Sequence, residues 1–255
     1  MYPTSAMKKL TAILLTLLLS AGLSHAQITE VGPLVGGNFA SIKGETGELA
    51  GPNGSAETGN RFGGRIGGFL RFSVSKSFTV RTELTYSQKG ATTNITGSSR
   101  AQDGSLVELE FDSILRYGYL DIPVLAEYTF QTGSKFEPYL LAGPTIGFTV
   151  NSEAETEVTA TVFDRFGREQ EIEPEGGFDN EGTQDTDIET TDLGAVIGGG
   201  MSYTLESGDS VFLSGDSVFL DIRYNPSFTA LDSDSNVDLE NQAITVEVGY
   251  TFSLR

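Results

Sequence analysis

The sequence predicts an all-β chain: an eight-stranded antiparallel up-and-down transmembrane β-barrel, preceded by a cleaved signal peptide. Three observations carry this. Long runs alternate apolar and polar residues with a period of two, the mark of a strand with one apolar face. Connections alternate between long polar loops and turns of a few residues, as they do in outer-membrane barrels. Strand charges take the parity opposite the aliphatic stripe. The chain also holds 31 glycines and almost no helix-period pattern.

The first segment stands apart from the barrel. Met7, Lys8 and Lys9 make a basic start, residues 10–19 a short apolar core, and Ser24-His25-Ala26 a small-x-small cleavage site before Gln27. This is a signal peptide for the general secretory pathway, too short to anchor the protein. Cleavage between Ala26 and Gln27 divides the chain into a leader, 1–26, and one barrel domain, 27–255. The leader carries two lysines and no acid, so the mature chain keeps 14 basic residues against 35 acidic ones, a net charge of −21. Such a surface repels phosphates and excludes nucleic acid as a partner. There is no cysteine, hence no disulfide or thiol chemistry after export. The one histidine, His25, leaves with the leader and takes the commonest general base and metal ligand with it. Beyond the leader no stretch approaches the length of a transmembrane helix.

Strand one covers residues 30–41, with Val31, Val35 and Phe39 on one face. Strand two, 61–74, sets Phe62, Ile66, Leu70 and Phe72 against Arg65, Phe69, Arg71 and Ser73. After a turn at Ser75-Lys76-Ser77, strand three alternates Phe78, Val80, Leu84 and Tyr86 with Thr79, Arg81, Glu83, Thr85 and Ser87. A polar loop, 91–110, leads to the strongest signal in the chain, a hairpin over 118–150 turning at residues 131–135. Its first strand alternates Leu120, Ile122, Val124, Ala126 and Tyr128 with Tyr119, Asp121, Leu125 and Glu127. Both arms exceed ten residues, enough to cross a bilayer when tilted. The longest loop, 151–191, precedes strand six (192–206), strand seven (216–229), a loop over 230–241, and strand eight, where Ile244, Val246, Val248, Tyr250, Phe252 and Leu254 share a face.

One connection departs from the pattern. SGDSVFL stands twice in tandem, at 207–213 and 214–220. Seven is odd, and a slip of odd length turns every side chain to the opposite face. The second copy is therefore expected to carry strand seven, with the first in an extended turn or bulge. Pro33, Pro123, Pro138, Pro144 and Pro226 fall inside strands, where bulges or strand ends are expected to accommodate them.

The charges settle sidedness. Arg65, Arg71, Arg81, Glu83, Asp121, Glu127, Asp221, Arg223 and Glu247 all oppose the aliphatic stripe. An arginine turned to lipid near the midplane costs about 2–4 kcal/mol, so the set is expected to point inward as a paired ionic network filling the narrow lumen. On the apolar parity, Phe39, Phe62, Tyr86, Phe148 and Phe228 lie at the long-loop ends of their strands. Phe72, Phe78, Phe130, Phe136, Tyr203 and Phe252 lie at the short-turn ends. Two aromatic girdles bounding an aliphatic band mark the two membrane interfaces.

On four stretches the chain resembles the PorT-type outer-membrane β-barrel proteins: GGNFAS at 36–41, ELTYSQKG at 83–90, YLDIPVLAEY at 119–128 and PYLLAGPTIGF at 138–148. The C-terminal strand is similar to an outer-membrane assembly signal, with Glu247, Gly249, Phe252 and Leu254 in place and Arg255 following where an aromatic usually ends the chain. The resemblance implies an OmpX/OmpA-like eight-stranded barrel in the outer membrane of a Gram-negative bacterium, inserted by the barrel-assembly machinery, with both termini periplasmic. It does not carry over a role in secretion, because the shared residues specify strands and turns.

No residues assemble a catalytic, cofactor or metal site. The long third loop holds fourteen acids over 151–192 against Arg165 and Arg168, a solvated loop or a place for divalent cations or basic surface partners. In the fourth loop Asp232, Asp234, Asn236, Asp238 and Glu240 alternate like a calcium loop, but Val237 and Ala243 stand where the turn glycine and the bidentate glutamate belong. The glycines at 63–64, 67–68 and 198–200 open no helix and make room in a crowded barrel rather than cradle phosphate. The expected function is that of a non-enzymatic surface barrel in contact with outer-membrane lipids, structural, adhesive or accessory to envelope assembly and secretion. A small porin-like or ligand-binding barrel is the alternative, then a soluble periplasmic lipocalin-like binder.

Overall fold

The computed structural model describes residues 27–43, 54–100, 104–163, 166, 168–172, 191–205, 215–230 and 240–254. The leader with its cleavage residue Ala26, the first SGDSVFL copy and most of the fourth loop lie outside the described residues, while Gln27 is the first described position. Strands β1 (Ile28–Lys43), β2 (Gly54–Ser73), β3 (Phe78–Arg100), β4 (Leu106–Thr129), β5 (Phe136–Phe163), β6 (Glu169–Ile172), β7 (Thr191–Thr204), β8 (Ser217–Ala230) and β9 (Glu240–Ser253) make one sheet. Each pairs antiparallel with its neighbour, and β1–β9, β4–β5 and β5–β7 pairings complete a ring of eight, with β6 outside it on the outer part of β5. Closure leaves no free edge within the ring. No helix among the described residues is long and apolar enough to cross a membrane, and this barrel crosses with strands.

The wall is inside-out relative to a water-soluble domain. Phe62 is 64% exposed, Leu84 54% and Val248 48%, whereas Arg81 and Asp221 are 0% exposed. Outward aromatics pair at both ends: Phe39 with Phe62 at the long-loop end, ring centroids 5.2 Å apart, and Phe136 with Tyr203 at the short-turn end, 4.7 Å apart. The two expected girdles are therefore present at the expected ends.

Three strands run far past the wall. β3, β4 and β5 have 23, 24 and 28 residues against 14 for β7, β8 and β9. Their surplus, with the start of β2, continues as a four-stranded sheet beyond the barrel. Here the sequence expectation is corrected, since residues 91–110 and 151–163, read there as loop, are largely strand. Thr92, Thr93, Ile95 and Thr96 continue the β3–β4 ladder without a change of register, because β-branched side chains suit a pleated sheet even where its surroundings are polar. The changes of register in β2–β3 (Asn60/Arg65) and β4–β5 (Gly118/Tyr119) fall at one level. Bulges commonly mark a barrel's rim, and these mark where the cylinder hands over to the protruding sheet.

The prolines are accommodated by a device the sequence expectation did not include. β3–β4 pairing stops at Thr82↔Val124 and resumes at Thr85↔Asp121 in unchanged register, so Pro123 opens a gap rather than a bulge. Thr82 Oγ1 donates to the Pro123 carbonyl at 3.3 Å. Similar gaps face Pro33 in β1–β9 and Pro144 in β4–β5. Only Pro226 adjoins a register shift.

Candidate functional site

Every strand in the ring is a half-buried ladder, and its inward parity supplies the contents of the lumen. All nine charged residues predicted to share it are buried. Arg223 grips Glu83 bidentately at 2.8 and 2.9 Å and reaches Asp221 at 2.6 Å. Arg65 bridges Glu83 at 3.1 Å, Asp121 at 3.3 Å and Glu247 at 3.1 Å. Arg81 lies 3.1 Å from Glu83 and 3.4 Å from Glu127 and also pairs with Asp221. Arg71 joins Glu127 at 3.3 Å to Glu30 at 3.1 Å, extending the network toward the short-turn end. Strands distant in sequence thus meet on one another's charges, which is how buried ions are tolerated.

Glu247 differs from its neighbours. Arg65 and Arg223 both flank it at ion-pair distance, yet neither of its carboxylate oxygens has a hydrogen bond of good angle. Gly200 makes space for the network, since a Cβ there would stand 2.2 Å from Asp221 Oδ1 and 2.7 Å from Tyr139 Cζ. Gly249, one of the predicted assembly-signal residues, lies under the Phe219 ring, 2.3 Å from where a Cβ would be. Of the other three, Glu247 points into the lumen while Phe252 and Leu254 are 47% and 48% exposed on the outside.

Sequence reasoning missed several members. Lys89 reaches Asp121 at 3.3 Å and Asp192 at 3.5 Å and lies 4.5 Å from the centre of the Tyr119 ring. It brings the inward cations to five, matching Glu83, Asp121, Glu127, Asp221 and Glu247. Its parity matches that of Arg81 and Ser87, a signal that was present in the sequence. Tyr139 was assigned correctly to the polar face but not to its role as a donor to Asp221. Asn38, which donates to Ser87 Oγ at 2.8 Å and accepts from Thr245 Oγ1 at 2.7 Å, carried no charge to betray it.

Two further layers close the lumen. Toward the short turns Leu34, Phe69, Leu125, Tyr139, Leu141, Val196 and Phe219 form an apolar layer. Arg71 packs 5.0 Å from the centre of the Phe219 ring and Arg81 4.9 Å, so cations and rings interleave. Toward the long loops Tyr117 and Tyr119 pack with Ile42 and Ala91, and Asn241 donates to Tyr119 Oη at 2.9 Å.

The outer face of the protruding sheet is acidic. Glu57 pairs with Asn94, Asn94 with Asp112, and Asp112 with Glu157, one row across four strands. Asn94 Nδ2 donates to Glu110 at 2.7 Å and to Asp112 at 2.8 Å. Glu153, Glu155 and Glu157 of the expected acidic loop belong to β5, and Asp192 turns inward to Lys89. The acids at 173–190 and the calcium-like run Asp232, Asp234, Asn236 and Asp238 lie outside the described residues.

Comparison with known proteins agrees with this architecture. Residues 25–233 match the family model described as an outer membrane protein beta-barrel domain. Among solved structures the chain is similar to Neisserial surface protein A (NspA), 14% identical, covering 88% of this chain and 97% of that one, TM-score 0.39. OprG of Pseudomonas aeruginosa is 14% identical, with 89% and 98% covered and a TM-score of 0.37. Ail of Yersinia pestis, solved with the heparin analogue sucrose octasulfate, is 12% identical, with 89% and 100% covered and a TM-score of 0.32. No curated protein matches the chain. The family match spans most of the chain, which sets aside the soluble periplasmic alternative: the protein belongs to the outer-membrane β-barrel family and resides in the bacterial outer membrane.

Proposed function

We propose that this chain is a PorT-type, non-enzymatic and non-conducting barrel that holds an acidic β-sheet outside the cell, in an adhesive or structural role. The observation carrying this reading is the pairing of a lumen filled along its length with a long sheet raised beyond one rim. A filled eight-stranded interior favours anchoring over transport. The lack of histidine after the leader supports a role without catalysis. The long connections face outward if both termini are periplasmic, as in barrels of this kind. Outer-membrane lipids would then contact the aliphatic wall and the barrel-assembly machinery would read strand β9 through Glu247, Gly249, Phe252 and Leu254. Divalent cations or basic surface proteins would meet the acidic sheet.

Two measurements test the reading. In planar bilayers the purified protein is expected to give no stepwise conductance; ion-selective steps would favour the porin-like alternative. In intact cells, Thr156→Cys is expected to react with a membrane-impermeant maleimide, the chain having no cysteine of its own. Protection of that thiol in intact cells, with labelling after lysis, would contradict it.

A further inference from the structure

The protruding sheet has a feature the closed ring does not. β5 pairs with β7 only as far as Phe148↔Thr191 and meets β6 only from Ala160↔Ile172. Between them, residues 153–159 pair with β4 on one side, and no described strand pairs with them on the other. At 3.3 Å per residue this is about 23 Å of backbone with one row of donors and acceptors facing away from its sheet. Such an edge is a template for another strand.

Its side chains define what fits. Glu153, Glu155 and Glu157 share one face with Asp112 and Glu110 of β4. Ala154, Thr156 and Val158 share the other, across from Leu115, Ser113 and Phe111. A second copy of β5 would set glutamate against glutamate, and like charges directly opposite disfavour pairing. An extended segment with lysine or arginine at alternate positions, and small or β-branched residues between, would meet a carboxylate at every basic position and an apolar row on the other face. We infer that the β5 edge at residues 153–159 binds an extended basic segment of another protein by strand addition, main-chain hydrogen bonds supplying affinity and the glutamates supplying selection. The inference rests on the proposed outward-facing sheet and names the class of its partner.

The test uses the full-length mature barrel in phosphatidylcholine vesicles and a fluorescent peptide alternating lysine with valine. Binding is expected to saturate, to weaken about tenfold in the triple variant E153Q/E155Q/E157Q, and to vanish when every peptide nitrogen is methylated, which keeps the charges and removes the main-chain donors. Equal binding of the methylated peptide would reduce the contact to charge alone and overturn strand addition. So would an unchanged affinity in the glutamine variant, an absence of binding, or binding only after the connection 173–190 is shortened, which would assign the edge to the chain itself. The Thr156→Cys labelling separates the two levels: a labelled thiol with no peptide binding refutes the edge site alone, whereas a thiol shielded in intact cells refutes the surface sheet beneath it.

Discussion

Arg223 shows what one residue does in this barrel. Its guanidinium serves Glu83, Asp221 and Glu247 together, and its side chain is 1% exposed. Removing one partner from a buried ionic group leaves charges uncompensated, typically at a cost of about 3–5 kcal/mol. Arg223→Ala is therefore expected to lower the urea midpoint of the refolded barrel by an amount of that order, read from the shift in gel mobility between folded and unfolded forms. Arg116→Ala is the contrast. Arg116 meets Glu155 at 2.8 Å, with the two side chains 39% and 60% exposed, so its loss should move stability by less than about 1 kcal/mol. Equal effects would deny that the lumen differs electrostatically from the surface. The sequence identified Arg223 because its charge stood on the wrong parity for a membrane wall. It could not show that Lys89 closes the balance of charge, since that needs the three-dimensional meeting of β3, β4 and β7.

Among the elements, the β7–β8 hairpin is the most informative. Leu205 N donates to Asp216 O at 2.8 Å, so the two ends are joined although Ser207–Leu213 lies between them in the chain. Asp216 also accepts from Tyr250 Oη at 2.9 Å and from the Ser253 amide at 3.1 Å, tying the turn to β9. The two copies of SGDSVFL could each begin β8, but only the second is followed by Asp221 and Arg223. Using the first would put Ser214 in place of Asp221 and Asp216 in place of Arg223, removing two charges on which Glu83 and Arg81 depend. The network thus selects the register. Deleting residues 207–213 is expected to keep the barrel and to raise its stability by about 1 kcal/mol through the shorter loop. A deletion variant that no longer folds in detergent would show the first copy to be structural. Elements were legible where a bilayer imposes its alternation, and the extensions of β3, β4 and β5 were not. There water meets both faces, and the contrast between polar and apolar parity fades, although Val107, Leu109, Phe111 and Leu115 still alternate with Glu108, Glu110, Asp112 and Ile114.

For the whole molecule, two opposed surfaces follow from one alternation. A cylinder of eight strands must bury five cations with their acids and offer its aliphatic residues to a solvent that cannot hydrogen-bond. Water would reverse that preference and lipid sustains it. The architecture was readable from parity and loop length together, because each constrains the other: long connections at one end fix where the girdles must lie. The partner of the raised sheet was not readable, because pairing preferences at an edge depend on which strands stop short of which. The central claim is the direction of the wall, and β8 offers adjacent positions to test it. Phe219 is 3% exposed and points into the lumen, whereas Leu220 is 47% exposed and points out. The chain has no tryptophan, so Leu220→Trp and Phe219→Trp each supply a single reporter. In vesicles of chain-brominated phosphatidylcholine, Leu220→Trp is predicted to be strongly quenched and Phe219→Trp far less. The reverse order, or equal quenching of both, would contradict the account.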